Sequence, residues 1–299
     1  MNRRSVQLSV VSIALVSVLL AGCSKKSSTV TAATGSDSAV RALLPAAIRT
    51  AGEIKIGSDI EYAPIEFFKT GTQQVQGLDY DLAQAMGKKL GVKMTFINDT
   101  DFAGIIGAMT SNRFNIIMSA MNDTAERRGK GVDFIDYFKA GSSILVKKGN
   151  PKQIRNLDDL CGMTVAVQKG TTQENDILKP QQTVCSGRNK PINILGFEKD
   201  TDALQQVKND RAVANLEDFP VAAYNAQTSG GGADFDVVAG QVGDQGSYGI
   251  AVPTAQTQLR DALQSALRAI IADGTYDRVL TKWSVTAGAL KTALLNGGG

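Results

Sequence analysis

The chain has 299 residues, of which 43% are hydrophobic and 20% are charged, as in an ordinary globular protein. It contains no histidine, which excludes His-dependent catalytic triads and the usual zinc sites. Its formal net charge of +3 and the absence of a dense basic stripe argue against a nucleic-acid partner. We therefore expect no metal, no cofactor and no nucleic acid.

The first 22 residues have the pattern of a secretory signal peptide. Arg3 and Arg4 give a basic start, an apolar run follows over residues 8–20, and small residues close the segment. Residues 20–23, Leu-Ala-Gly-Cys, resemble the bacterial lipobox. The resemblance implies cleavage before Cys23 and acylation of Cys23. An uncleaved membrane helix is the alternative, but the run is shorter than the roughly 20 residues that a span needs.

Residues 23–50 are predicted to link this lipid to the folded protein. The stretch 24–39 is rich in Ser, Thr, Ala and Lys without an apolar period, which is typical of a flexible tether. A short leading helix is expected over 40–48, although Pro45 disfavours it. We expect the protein to lie in the cell envelope, anchored by lipid and facing the periplasm or the outside.

Two cysteines remain once Cys23 carries lipid. In an oxidising compartment Cys161 and Cys185 are expected to pair, closing a loop of about 25 residues. Two free buried thiols are the alternative. A catalytic thiol is disfavoured because the chain has no histidine to activate it.

From residue 53 onward, strands and helices alternate. The apolar patterns predict strands over 54–57, 92–97 and 114–118, helices over 80–90 and 102–109, and a strand pair, 65–68 with 76–78, around Gly71. A second set begins near Leu145, with strands over 163–167, 192–197, 213–216 and 235–238 and helices from 173, over 201–209 and over 220–227. An amphipathic helix over 258–272 and a shorter one over 276–283 end the pattern.

Two βα sets joined by passages rich in Gly and Ser predict an α/β fold of two lobes, with a mostly parallel sheet and a cleft between the lobes. We expect lobe 1 to comprise 51–140 and 245–299, and lobe 2 to comprise 141–244.

Six short motifs carry a family resemblance over residues 53–285. They are Gly57-Ser58-Asp59, Tyr62-Ala63-Pro64, Gly77-Leu78-Asp79-Tyr80-Asp81-Leu82, Thr124-Ala125-Glu126-Arg127 with Val132-Asp133-Phe134, Gln168-Lys169-Gly170-Thr171-Thr172-Gln173-Glu174, and the run from Asp218 to Tyr224. In this order they resemble the family-3 periplasmic solute-binding proteins, the polar amino-acid receptors of ABC importers. The resemblance implies a periplasmic binding protein fold with two hinge crossovers, expected near 139–143 and 241–247.

The resemblance also implies roles for individual residues. Arg127 stands where the family binds the ligand carboxylate, a task that suits a planar guanidinium. Asp218 stands where the family binds the ammonium, and Thr171 and Thr172 open a helix whose N–H groups favour an anion. The remaining implied pocket positions are Asp59, Tyr62, Phe102, Ala120, Asn122 and Gln168.

Asp59, with Glu61 near it, makes the expected pocket acidic. This favours a cationic side chain, while a glutamine-like ligand stays an alternative. The implied mechanism is hinge closure around a free amino acid, followed by docking on a membrane permease, by a monomeric protein. Tyr80, Asn115, Tyr137 and Val213 depart from the family pattern.

Two other functions remain open. Some relatives of this fold are periplasmic cyclohexadienyl dehydratases, and Glu174 lies near the position where those enzymes use an acid. Sensory modules also use the fold, but they usually carry a transmembrane helix and a signalling domain. We expect a binding protein and not an enzyme.

Overall fold

The computed structural model describes residues 37–298 of the chain, so the predicted signal peptide, Cys23 and most of the tether lie outside the described residues. The helices are α1 (Ser38–Ala42), α2 (Ala46–Ala51), α3 (Leu78–Leu90), α4 (Ile105–Thr110), α5 (Ala125–Arg128), α6 (Lys179–Gly187), α7 (Asp200–Lys208), α8 (Phe219–Thr228), α9 (Thr257–Ala272) and α10 (Thr275–Lys282). Within residues 37–298, none of these helices has the length and apolar character needed to cross a bilayer.

The strands alternate with these helices. They are β1 (Glu53–Ser58), β2 (Glu61–Tyr62), β3 (Glu66–Phe68), β4 (Val75–Gln76), β5 (Lys93–Asn98), β6 (Ile116–Ile117), β7 (Val132–Lys147), β8 (Thr164–Gln168), β9 (Asn193–Phe197), β10 (Ala214–Asp218), β11 (Phe235–Val237), β12 (Val242–Pro253) and β13 (Ala289–Leu295). Short 3-10 turns and a π-helix (Gln173–Leu178) complete the described chain.

One sheet continues through both lobes, in the strand order β5-β1-β6-β12-β7-β10-β8-β9, and β11 and β13 also pair with β7. In lobe 1, β1 is parallel to β5 and β6; in lobe 2, β8 is parallel to β9 and β10. The antiparallel strands β7 and β12 lie between these parallel sets. A separate three-stranded sheet, β2-β3-β4, contains the predicted strand pair around Gly71.

The crossovers between the lobes are strands. The segments 139–143 and 241–247, predicted as passages rich in small residues, lie in or beside β7 and β12, whose pairing shifts register between Val242 and Gly246. A β-bulge of this kind locally bends a strand pair. The lobe boundaries at residues 140 and 244 stay a prediction, because the sheet is continuous across them.

Each lobe has its own buried apolar clusters. In lobe 1, the helical spacing of Leu78, Leu82, Met86 and Leu90 places four fully buried side chains on one face of α3, in one cluster with α9. In lobe 2, strands β8 and β10 pack with α6 and the π-helix. Two separately packed units can move relative to each other more easily than a single core.

Several predicted elements need correction. Pro45 divides the expected leading helix into α1 and α2, because the ring prevents a continuous hydrogen-bond ladder. The helix expected from residue 173 starts as the π-helix, and α6 follows with Pro180 in its first turn. The strand expected at 114–118 is reduced to β6, and the helix expected from 102 begins at Ile105. Strand β13 was not predicted.

The predicted disulfide between Cys161 and Cys185 is confirmed. The two Cα atoms are 5.2 Å apart, and the bond joins the end of a 3-10 turn to α6. Cys185 is fully buried, so the disulfide belongs to the lobe 2 core.

Candidate functional site

Nine of the ten predicted pocket residues line one small cavity between the lobes. Lobe 1 provides Asp59, Tyr62, Phe102, Ser119, Ala120, Asn122 and Arg127, and lobe 2 provides Thr171, Thr172, Gln173 and Asp218. The exception among the predicted residues is Gln168. Ser119 and Gln173 also line the cavity but were not predicted. Each directly adjoins a predicted residue in sequence, and this adjacency could have indicated them.

Arg127 lies in the short helix α5. The Thr124 hydroxyl accepts a hydrogen bond from the Arg127 amide and so caps this helix. The guanidinium is buried: Nη1 donates to the Asn122 carbonyl and Nη2 to the Gly170 carbonyl, both at 2.9 Å. It lies 5.5 Å from the centre of the Phe102 ring. These bonds use two of five N–H groups, so the side chain retains donors for a ligand.

Burial lowers the pKa of Arg127 to about 10. The guanidinium is therefore still charged at neutral pH. A buried cation of this kind favours a negatively charged partner.

Asp218 ends β10 in lobe 2, immediately before α8. Its Oδ1 accepts a 2.8 Å hydrogen bond from Gln173 Nε2, which also donates to Ser142 Oγ at 2.8 Å. Burial raises the pKa of Asp218 to about 7, against the lowering effects of its hydrogen bonds, including that from Gln173, and of the Arg127 charge. A buried carboxylate with this pKa favours a cationic partner in the cavity.

Asp59 follows β1 and is 1% exposed. Its amide donates to Ser119 Oγ at 2.9 Å, and its Oδ2 accepts from Gln168 Nε2 at 2.7 Å. Its Oδ1 is buried without a hydrogen-bond partner within residues 37–298. Burial, with a contribution from the neighbouring Glu61 charge, raises the pKa of Asp59 to about 8.

Gln168 lies behind the cavity wall. Besides its bond to Asp59, its Nε2 donates to the Glu198 carbonyl at 2.9 Å, which fixes the amide between the lobes. The structure therefore places Gln168 against a cavity residue and not against the cavity itself.

Glu61, which was expected to add to the acidity of the pocket, is not among the residues that line the cavity. Its carboxylate accepts hydrogen bonds from the Asp200 amide at 2.9 Å and the Thr201 hydroxyl at 2.8 Å, at the start of α7. Helix α7 lies in lobe 2, so Glu61 joins the two lobes beside the cavity.

The cavity floor rests on a buried pair of carboxyl groups. Ser119 Oγ donates to Glu66 at 3.0 Å, and the Ala120 amide, at a residue with φ of 45°, donates to Asp79 at 3.2 Å. Tyr137, one of the departures from the family pattern, donates its hydroxyl to Asp79 at 2.8 Å. Burial raises the pKa of both carboxyl groups, that of Asp79 to about 7, so we infer that the pair holds a proton.

The lobes are closed on each other. Side-chain hydrogen bonds bridge them, among them Arg127 to the Gly170 carbonyl, Gln168 to Asp59, Thr172 to Asn122 Oδ1 at 3.0 Å, and Thr201 to Glu61. A ligand held by Arg127 and Asp218 would therefore contact both lobes in this state.

The fold and this site define a class of protein, a two-lobed binding protein that closes around a small molecule. Residues 54–286 match the model of the bacterial extracellular solute-binding proteins, family 3, and the chain belongs to that family.

Similar proteins agree with this assignment. The arginine-binding protein ArgT of Corynebacterium glutamicum is 31% identical over 258 residues, which cover 86% of this chain and 82% of ArgT. The solved structure of an ancestral arginine-binding protein bound to arginine has 35% identity and a TM-score of 0.70, covering 78% of this chain and 98% of that one.

A third comparison bears on the enzyme alternative. The ancestral amino acid-binding protein AncCDT-1, described as a precursor of cyclohexadienyl dehydratase, has 36% identity and a TM-score of 0.68, covering 79% of this chain and 97% of that one. All three proteins are named as binding proteins.

Proposed function

We propose that this chain is the amino-acid-binding component of an ABC importer, which captures a free polar amino acid by closing its lobes. The observation that carries the proposal is the position of Arg127 and Asp218, a buried cation and a buried carboxyl group from opposite lobes that line one cavity. The α-carboxylate of the ligand binds the Arg127 guanidinium, and its ammonium binds Asp218. Each ligand charge then compensates a protein charge that burial would otherwise leave unpaired.

Closure follows from the same contacts. A ligand held by both lobes stabilises the closed form by contacts that the open form lacks. The bulged pair of strands at residues 139–143 and 241–247 provides the bending region. The closed protein then delivers its ligand to a membrane permease.

The side chain of the ligand is proposed to carry N–H donors, as in arginine, lysine, ornithine or glutamine. Asp59 Oδ1 is a buried oxygen without a partner in residues 37–298, which is costly unless a ligand group bonds to it. A ligand that donates there, and above all a cationic one, keeps Asp59 ionised. Tyr62 and Phe102 provide aromatic walls. Solved structures of an ancestral arginine-binding protein are bound to arginine in one case and to glutamine in another.

The geometry does not support the dehydratase alternative. Glu174, the acid considered for that role, is not among the cavity-lining residues. Its carboxylate accepts a 2.7 Å hydrogen bond from the Gly170 amide and lies 3.3 Å from the Lys179 ammonium. It therefore stabilises the loop that begins the π-helix.

The lipid anchor at Cys23 and a monomeric state complete the proposal. Several acyl chains would hold the protein durably at the membrane surface. Mass spectrometry of the native protein should find an acylated N-terminal cysteine, and Cys23→Ala should release the protein from the membrane. An N-terminus that retains Met1 would contradict the anchor.

A thermal-shift screen with the 20 amino acids and ornithine tests the function itself. A ligand at 100 times its Kd stabilises the folded state by about 2.7 kcal/mol, which raises Tm by several degrees. We expect the largest shifts from arginine, lysine, ornithine or glutamine. A screen in which no amino acid raises Tm would contradict the proposal.

A further inference from the structure

The C-terminal strap, residues 289–298, follows the part of the chain that matches the family model, which ends at residue 286. It begins as β13, which pairs antiparallel with the crossover strand β7 at Ile135, Asp136 and Phe138. After β13, the strap continues to the segment that carries Arg127.

The last residues of the strap bind this segment directly. The Gly298 amide donates to Asp123 Oδ2 at 2.8 Å, and the Gly298 carbonyl accepts from Arg128 Nη1 at 3.1 Å. Arg128 also forms an ion pair with the buried Asp123. The strap therefore bonds to Asp123, which follows Asn122, and to Arg128, which follows Arg127.

A second set of bonds fixes the strap itself. The Asn296 amide donates to the Phe134 carbonyl at 2.9 Å, and Asn296 Oδ1 accepts from the Phe134 amide at 2.8 Å. Asn296 Nδ2 donates to Asp133 at 3.0 Å. Through these bonds Asn296 extends the pairing with β7 beyond β13. They fix the position of the strap where Gly298 contacts Asp123.

Glycine is required at position 298. A Cβ added there would collide with the backbone carbonyl and the side chain of Asp123. A side chain at this position must therefore move either the strap or the Asp123 backbone, next to the Asn122 carbonyl that accepts a hydrogen bond from Arg127.

We propose that the strap positions Arg127 for the ligand carboxylate, through Gly298, Asp123 and Arg128. This inference rests on the proposed function, in which Arg127 binds the carboxylate. No residue of the strap lines the cavity, so the strap sets affinity without selecting among ligand side chains.

The test is a double-mutant cycle by calorimetry on the full chain, with the amino acid that gives the largest thermal shift. Gly298→Ala should weaken binding about tenfold for every ligand and leave the ratio of affinities between ligands unchanged. In the Arg127→Ala background the same change should alter the residual affinity by less than twofold, because the strap acts through Arg127. Gly187→Ala, which has open space around its Cβ, is the matched control and should bind like the parent.

A chain ended after Asn296 is the second variant, since it loses the Gly298 contacts and keeps the β13 pairing. The proposal is overturned if both variants bind within twofold of the parent, or if Gly298→Ala causes its full loss in the Arg127→Ala background as well. If Arg127→Ala itself binds like the parent, the proposed function fails and the strap's role fails with it.

Discussion

Gln168 of lobe 2 donates its side-chain amide to the Asp59 carboxylate of lobe 1 at 2.7 Å, across the closed cleft. This bond occupies one carboxylate oxygen of Asp59 and leaves Oδ1 buried and without a partner in the described part of the chain. Burial raises the pKa of Asp59 to about 8, so this oxygen becomes an oriented acceptor when a bound ligand donor keeps the carboxyl group ionised. An acceptor in this state discriminates between ligands by whether they donate to it.

Asp59→Asn should change which ligands the protein prefers. A cationic ligand keeps the buried Asp59 ionised, and the substitution removes this paired charge. We therefore expect arginine to lose at least tenfold in affinity while glutamine loses no more than about threefold. Competition calorimetry with the two ligands measures this ratio. Asp277→Asn, an exposed residue in the first turn of α10, is the control and should leave the ratio unchanged. Equal losses for both ligands would contradict the assigned role of Asp59.

The empty protein should close more readily as the pH falls from 8 to 5. In the closed form, burial raises the pKa of Asp59 to about 8 and that of Asp218 to about 7. In an open form both carboxyl groups face water and have ordinary pKa values near 4. The closed form therefore binds more protons over this interval, and protonation stabilises it relative to the open form. Above pH 8 both groups are ionised, and their desolvation opposes closure.

The radius of gyration of the ligand-free protein, measured by small-angle scattering, checks this dependence. It should decrease between pH 8 and pH 5, and the decrease should be smaller in a variant with Asp59→Asn and Asp218→Asn. A radius that stays constant or increases toward pH 5 would show that the sign is wrong.

Removing the disulfide should destabilise lobe 2. The bond closes a loop with a sequence separation of 24, for which the chain-entropy model gives about 3.5 kcal/mol at 25 °C. Cys161→Ser with Cys185→Ser should lower the free energy of unfolding by about 2–4 kcal/mol in denaturant titrations of ligand-free protein. An unchanged free energy of unfolding would mean that the chain without the disulfide is already constrained in its unfolded state.

The sequence predicted most elements because their patterns are local. The helical spacing of Leu82, Met86 and Leu90 and the cysteine parity each depend on residues close in sequence or on a simple count. Strand β13 was not predicted, because its exposed Lys291 and Thr292 give no clear alternation, and its pairing with β7 is a contact between distant segments.

Contacts between distant segments also limited the prediction of the site. The motifs predicted which residues gather at the cavity, but not which of them face into it. Gln168 and Glu61 sit next to or near cavity residues in sequence, and yet both side chains bind the opposite lobe. Only the packing of the two lobes decides this orientation, since neighbouring side chains on a strand point to opposite faces.

We propose above all that Arg127 and Asp218 bind the two charged ends of one amino acid. Calorimetry of arginine binding to the parent, Arg127→Ala, Arg127→Lys and Asp218→Ala tests it most directly. Removing one partner of a buried charge pair costs about 2–5 kcal/mol, so each alanine variant should bind at least roughly 30-fold more weakly than the parent. Arg127→Lys should also lose most of the affinity, because a point charge cannot reproduce the planar fork. Folded alanine variants that bind arginine within about threefold of the parent would contradict the account.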